Sequence, residues 1–220
     1  MKFTCVIFDL DGTLVDTIGD IANSMNAALG ARNFPPLPGD AYINMVGWGI
    51  KRLALLALPP SARDEKTAGE LAADAIRYYA EHPVVYSKPY PGIPELVAAL
   101  KQRKTKTAVL SNKPDLVTAL VIGILFPPGS FDHVQGEIAG IPRKPDPAST
   151  WELLMGLDRT PRETIFVGDS EIDMETARAA ECHALGVSWG FRDRRSLEAA
   201  GAERIIDRPE QLLELIRDTP

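Results

Sequence analysis

The sequence predicts an α/β fold: a parallel sheet core with helices on both faces, plus an all-helical cap domain inserted after the first strand. Three features carry this reading. An apolar first strand ends in two acids. A long stretch after it offers helices and no convincing strand. From Thr107 onward, short strand-like runs alternate with helical ones.

The first strand is the run Phe3-Thr4-Cys5-Val6-Ile7-Phe8, which stops abruptly at Asp9-Leu10-Asp11-Gly12-Thr13. A buried parallel strand is expected to be apolar throughout; the acids are the anomaly. At the carboxyl end of a strand in an open α/β sheet they point into the crevice where such folds bind ligands. Residues two apart share one side of a strand. Two carboxylates on one side repel unless a cation lies between them, which points to a divalent metal. An acidic strand exit that caps the next helix is the plainer alternative.

The stretch from Val15 to Lys88 breaks the α/β alternation. Helices are expected around Ile18 to Leu29, Gly39 to Met45, Gly49 to Leu58 and Ala62 to Glu81. Proline clusters at Pro35-Pro36-Leu37-Pro38 and Pro59-Pro60 separate them. A second linker, His82 to Pro91, precedes a helix over Ile93 to Lys101. The expected division is therefore residues 1–14 and 89–220 for the core, and 15–88, about 70 residues, for the cap. Helices this amphipathic packed directly on the sheet are the alternative.

Beyond the linker, strands are expected at Thr107–Leu110, His133–Gln135, Thr164–Val167, His183–Val187 and Arg204–Ile206. Helices fall around Leu116 to Ile122, Pro147 to Met155, Glu171 to Ala180 and Ser196 to Ala200, with a last one from Pro209 to Ile216. Pro114, Pro147 and Pro209 stand near helix starts, where a missing N–H costs little.

Composition sets limits on function. The net charge of −6 argues against a general nucleic-acid or membrane-surface binder. It leaves room for a local cationic pocket and an anionic metabolite. No apolar run approaches the length needed to span a bilayer, and no leader segment is recognisable. Two cysteines, Cys5 and Cys182, can build neither a disulfide framework nor a structural zinc site. Both are expected to be buried thiols in a cytoplasmic protein.

Three further loops follow expected strands. Ser111-Asn112-Lys113-Pro114 brings a hydroxyl and open N–H groups to a helix start, a ready anion site; an ordinary N-cap would look the same. Lys144 stands before Pro145-Asp146-Pro147, and a single lysine is in general simply solvated. Gly168-Asp169-Ser170-Glu171-Ile172-Asp173 is a second strand that runs out into acids. N-capping explains one of those acids but hardly all three.

The order and spacing of Asp9-x-Asp11-Gly12-Thr13, Ser111-Asn112, Lys144-Pro145 and Gly168-Asp169-x-x-x-Asp173 resemble the four-motif signature of the haloacid dehalogenase (HAD) superfamily. The resemblance spans essentially the whole chain, inserted cap included. The chain is most similar to the phosphoglycolate phosphatase-like branch, through Val46-Gly47-Trp48-Gly49, Tyr79-Ala80-Glu81-His82, Pro89-Tyr90-Pro91-Gly92-Ile93, Arg143-Lys144-Pro145 and Trp189-Gly190-Phe191.

The resemblance implies a HAD-like Rossmannoid core and a Mg²⁺-dependent phosphatase acting on a small phosphorylated metabolite. It makes Asp9 the nucleophile and Asp11 the general acid and base. Mg²⁺ is expected on Asp9, the backbone carbonyl of Asp11, and Asp169, with Asp173 directly or through water. Ser111 and the N–H of Asn112 would hold the phosphoryl oxygens, Lys144 would neutralise charge, and Thr13 would brace the first loop. In the cap, Gly47, Trp48, Lys51 and Arg52 are the candidates for contact with substrate. Lys51 or Arg52 is a cation for a substrate carboxylate, or merely the wet face of a helix.

Within the superfamily, Asp11 disfavours a phosphonoacetaldehyde hydrolase, which the resemblance would give an alanine there. A β-phosphoglucomutase-like phosphotransferase or a pyrophosphatase keeps both acids and stays open. A non-enzymatic phosphoacceptor receiver is the remote alternative, since receivers are about half this length. Monomer or homodimer is left open.

Overall fold

The computed structural model describes residues 3–216. In chain order the elements are β1 (Cys5–Phe8), β2 (Val15–Asp16), α1 (Ile18–Ala31), α2 (Ile50–Ala57), α3 (Glu65–Glu81), β3 (Lys88–Pro89), α4 (Ile93–Gln102), β4 (Lys106–Pro114), α5 (Asp115–Leu125), β5 (His133–Glu137), α6 (Ala148–Gly156), β6 (Thr164–Gly168), α7 (Glu171–Ala179), β7 (His183–Val187), α8 (Arg194–Ala200) and β8 (Arg204–Ile206). Short 3₁₀ segments at Gly39–Asn44 and Pro209–Glu214 replace two of the expected α-helices.

Six strands form one parallel sheet in the order β5-β4-β1-β6-β7-β8. Side-chain alternation sorts the sheet into two faces. Val6, Phe8, Val109, Ile165, Val167, Leu185 and Val187 join one apolar cluster with Leu96 and Leu100 of α4 and Val117 and Val121 of α5. Cys5, Ile7, Ala108, Leu110, Phe166 and Ala184 point the other way, onto Leu153 and Leu154 of α6, Met174 and Ala177 of α7, and Leu197 of α8. Both cysteines are free and buried in this second layer. The continuous apolar strands seen in the sequence are thus strands covered on both sides.

The insertion is helical, as expected, but its boundary holds a small sheet the sequence did not announce. Val15 pairs with Pro89 and Asp16 with Lys88 in an antiparallel ribbon. Two residues per strand, one of them proline, leave no periodicity to read. Just beyond the ribbon, the buried carboxylate of Asp20 accepts from the N–H groups of Val85 (3.1 Å), Tyr86 (3.1 Å) and Ser87 (2.8 Å), and from the Ser87 hydroxyl. The entering and leaving chains are stitched together. Inside the insertion, α1 and α2 both pack on α3. Met25, Leu29, Leu53, Leu71 and Ala75 belong to the same apolar cluster as the first sheet face, so the core runs on without a break from sheet to insertion.

Candidate active site

β1, β4 and β6 lie side by side, and their carboxyl ends bring the candidate residues together. The strand β1 stops at Phe8, one residue before Asp9, and Gly12 turns the loop with a φ of +82°. Asp9 and Asp11 are therefore not neighbours on one strand face, contrary to the simple alternation argument. Each carboxylate meets its own lysine instead. Lys144 Nζ lies 2.7 Å from Asp9 Oδ1, and Lys113 Nζ lies 3.0 Å from Asp11 Oδ1.

Lys144 is 3 % exposed and also reaches Asp173 Oδ1 at 2.7 Å. Its loop is held by Ser149, whose hydroxyl donates to the Pro142 carbonyl at 2.7 Å. The other Asp173 oxygen accepts from the N–H and hydroxyl of Ser170, closing the capping box of α7. Helix capping and the site therefore share one acid. Asp169 follows β6 and accepts from the Phe191 N–H at 2.7 Å and the Thr13 hydroxyl at 3.3 Å. Glycine is required at 190, because a Cβ there would overlap the Asp169 side chain and the Gly12 carbonyl. Thr13 is fully buried and braces the loop without facing the cavity.

Asp9, Asp169 and Asp173 are all buried, and each offers an oxygen within 4.8 Å of the others. Burial pushes the Asp9 carboxyl up to about 7, with Lys144 opposing and the charges of Asp173 and Asp11 adding to the rise. Asp169 is raised as well, by burial first and then by Asp173 and Asp9. Burial pulls the Lys144 ammonium down, but Asp173 and Asp9 outweigh it and hold it charged above its ordinary range. One lysine among three buried carboxylates leaves uncompensated negative charge. An all-oxygen, carboxylate-rich pocket of this kind fits a hard divalent cation.

Ser111, Asn112 and Lys113 lie in β4, which runs four residues past its expected end to Pro114, and the helix follows directly at Asp115. The Ser111-Asn112 pair thus meets a strand end and not a helix N-terminus. The Asn112 amide donates to the Gly47 carbonyl at 2.9 Å and the Lys144 carbonyl at 3.0 Å, tying the insertion to the third loop. Arg192 makes a parallel tie, donating to the carbonyls of Ile43 (2.6 Å) and Val46 (2.9 Å).

These groups line one cavity between the carboxyl ends of the central strands and the insertion, walled by apolar side chains such as Ile21, Leu53, Ile76 and Val117. Gly47 lines it; Trp48, Lys51 and Arg52 do not. The helix α2 turns Leu53, Ala54 and Ala57 inward, which leaves Lys51 and Arg52 exposed on the opposite side, and Trp48 is 46 % exposed. Lys113 and Tyr79 line the cavity too, although the sequence stretches that contain them gave neither a role, and so does Arg192, which the sequence did not bring forward. Strand alternation from Ser111 would have found Lys113 had β4 been read to its full length.

The haloacid dehalogenase-like hydrolase model matches residues 6–187. The chain belongs to that family: it is a hydrolase with the haloacid dehalogenase-like α/β fold. It is similar to the phosphoglycolate phosphatase of Aquifex aeolicus (strain VF5), 31 % identical over 96 % of this chain and 95 % of that one. It is also similar to the phosphoglycolate phosphatase of Rhodospirillum rubrum, 33 % identical over 92 % of this chain and 86 % of that one. Among solved structures, one from Lactobacillus delbrueckii subsp. bulgaricus superposes with a TM-score of 0.90 at 33 % identity, covering 100 % of both chains. No helix among the described residues is long and apolar enough to cross a membrane.

Proposed function

We propose that this chain is a Mg²⁺-dependent phosphatase of the cytoplasm that hydrolyses phosphoglycolate through an aspartyl-phosphate on Asp9. The observation that carries the reading is the Lys144 ammonium, buried at 2.7 Å from both Asp9 and Asp173. No fold needs so costly an arrangement for packing alone. The names of the curated relatives supply the substrate.

Asp9 attacks phosphorus; the ester P–O bond breaks, and the leaving oxygen takes a proton from Asp11. Asp11 then takes a proton from water as that water attacks the phosphoenzyme, releasing phosphate and restoring Asp9. Positioned proton transfer of this kind contributes about 10²–10⁴-fold. Ser111 and the Asn112 N–H hold phosphoryl oxygens, and Lys144 neutralises charge shared by nucleophile and phosphoryl group. Asp9, Asp169 and the Asp11 carbonyl would hold Mg²⁺, which supplies positive charge against the dianionic phosphate. Asp173 has both oxygens engaged within the protein and fits a role of orienting Lys144. Residues 15–88 act as a cap over the core of 1–14 and 89–220, opening to admit substrate and closing to exclude water.

The test is phosphate release from a panel of phosphate esters with Mg²⁺ or EDTA, with β-glucose 1-phosphate and pyrophosphate included. Metal-dependent turnover of phosphoglycolate is expected, and Asp9→Asn is expected to abolish it while preserving the fold. A sharp preference for β-glucose 1-phosphate or pyrophosphate would replace the substrate. Turnover by Asp9→Asn would remove the nucleophile.

A further inference from the structure

A phosphatase that selects phosphoglycolate must recognise its second anion, and the exposed Lys51 and Arg52 are poorly placed to do so. Three cationic residues line the cavity among the described residues: Lys144, Arg192 and Lys113. Lys144 is committed to Asp9 and Asp173. Arg192 is committed to the Ile43 and Val46 carbonyls and to Glu171, at 3.3 Å. Lys113 is different. Its only ion-pair partner among the described residues is Asp11, and an ammonium carries three donors, of which one carboxylate takes at most two.

Beside Lys113 stands Tyr79 of α3, its ring centroid 4.2 Å from the ammonium nitrogen. Tyr79 is 4 % exposed, lines the cavity, and its buried hydroxyl has no hydrogen-bond partner. Buried hydroxyls are rarely left unpaired, because the lost hydrogen bond to water is not recovered. An ammonium shared between Asp11 and the face of Tyr79, beside a phenol O–H that has no acceptor, forms a receptor for an anion.

Their place along the chain sets the size of the ligand. Ser111 and Lys113 both line the cavity from one strand, two residues apart. A phosphoryl group at Ser111 puts a group only a short carbon link away beside Lys113. Ile21, Ile76 and Val117 add apolar wall beside them.

We infer that Lys113 Nζ and the Tyr79 hydroxyl form a carboxylate subsite that selects short phosphate monoesters carrying a carboxylate. This rests on the phosphatase reading above and assigns its specificity to one residue of the core strand and one of the insertion. The substrate carboxylate meets the charge of the Lys113 ammonium and accepts from the Tyr79 O–H, so it binds only when α3 lies over β4. Recognition of the second anion and closure of the cavity are then one event.

The test compares kcat/KM for phosphoglycolate with kcat/KM for ethyl phosphate, which has the same two-carbon length and no carboxylate, in the Mg²⁺-loaded enzyme. The ratio is expected to fall by about 100-fold in Lys113→Met, as for a desolvated charge pair that loses one partner. In Tyr79→Phe it falls about fivefold, through KM, with partial retention of the ratio in Lys113→Arg. Equal losses on both esters would overturn the subsite and make Lys113 a positioning residue for Asp11. Should Lys113→Met fail to fold, as judged by its thermal melt, the Tyr79→Phe ratio decides alone; an unchanged ratio there overturns the inference. Wild-type enzyme that turns over both esters equally keeps the phosphatase and removes the subsite. No turnover of either ester removes both.

Discussion

Replacing Lys144 by methionine keeps most of the side chain's length, one atom short, and removes its charge. The structure lets the cost be worked out. Lys144 donates at 2.7 Å to Asp9 and at 2.7 Å to Asp173, and its side chain is 3 % exposed against 11 % and 1 % for those partners. Deleting one member of a buried pair strands the others, at about 3–5 kcal/mol. For a chain of this size that lowers the melting temperature by roughly 6–20 °C. The catalytic loss has two sources. Lys144 is the main influence holding the Asp9 carboxyl down against burial, so without it the nucleophile keeps its proton to still higher pH. The donor facing the transferring phosphoryl group is lost as well, and turnover should fall by about 10³-fold or more. The assays are thermal melts in EDTA and phosphate release in Mg²⁺, both at neutral pH. A melting temperature within about 2 °C of the parent and activity within about tenfold would refute the assignment of Lys144 to this site.

Two further outcomes are expected. In metal-free protein the Asp9 carboxyl, pushed by burial up to about 7 from its ordinary carboxylate range, binds its proton more tightly folded than unfolded. The associated stability is present at low pH and lost as pH rises through about 7. Mg²⁺ binds the ionised form, so the rise in melting temperature on adding it should be small at about pH 5 and large at about pH 8; an equal rise at both would contradict the burial argument. Asp20→Asn removes an acceptor shared by three backbone N–H groups and a hydroxyl. It should cost at least about 2 kcal/mol in urea unfolding and speed amide exchange at Val85, Tyr86 and Ser87, while unchanged exchange there would deny the clamp its role.

The sheet was largely legible because a strand buried on both faces announces itself by unbroken apolar runs; β7 and β8 match their expected bounds residue for residue. Four acids and Ser111 were legible because each follows such a run. Lys144 was legible only through the family pattern, since a lysine's burial is decided by partners 29 and 135 residues away in the chain. Arg192 could not be found, because its two hydrogen bonds to the insertion go to backbone carbonyls, and any residue supplies those. The length of β4 was missed where Ser111-Asn112-Lys113-Pro114 reads as a turn. The sheet register in fact shifts between Leu110 and Pro114 and carries the polar residues onward. The Pro209 segment has helix-like apolar spacing but closes as a 3₁₀ turn.

The ribbon of Val15–Asp16 against Lys88–Pro89 makes the insertion a closed excursion: the chain leaves the sheet and returns at the same place. Whatever lies between those four residues can lengthen, shorten or be exchanged while β1 and β4 keep their separation, because the entropy of closing a loop grows only slowly with its length. Natural variation in such a protein is free to run fast in the excursion and slow in the frame. For the protein engineer, the natural cut points are there too. A graft joined at Asp16 and Lys88 inherits an intact set of acids around Lys144, and only the choice of substrate has to be rebuilt.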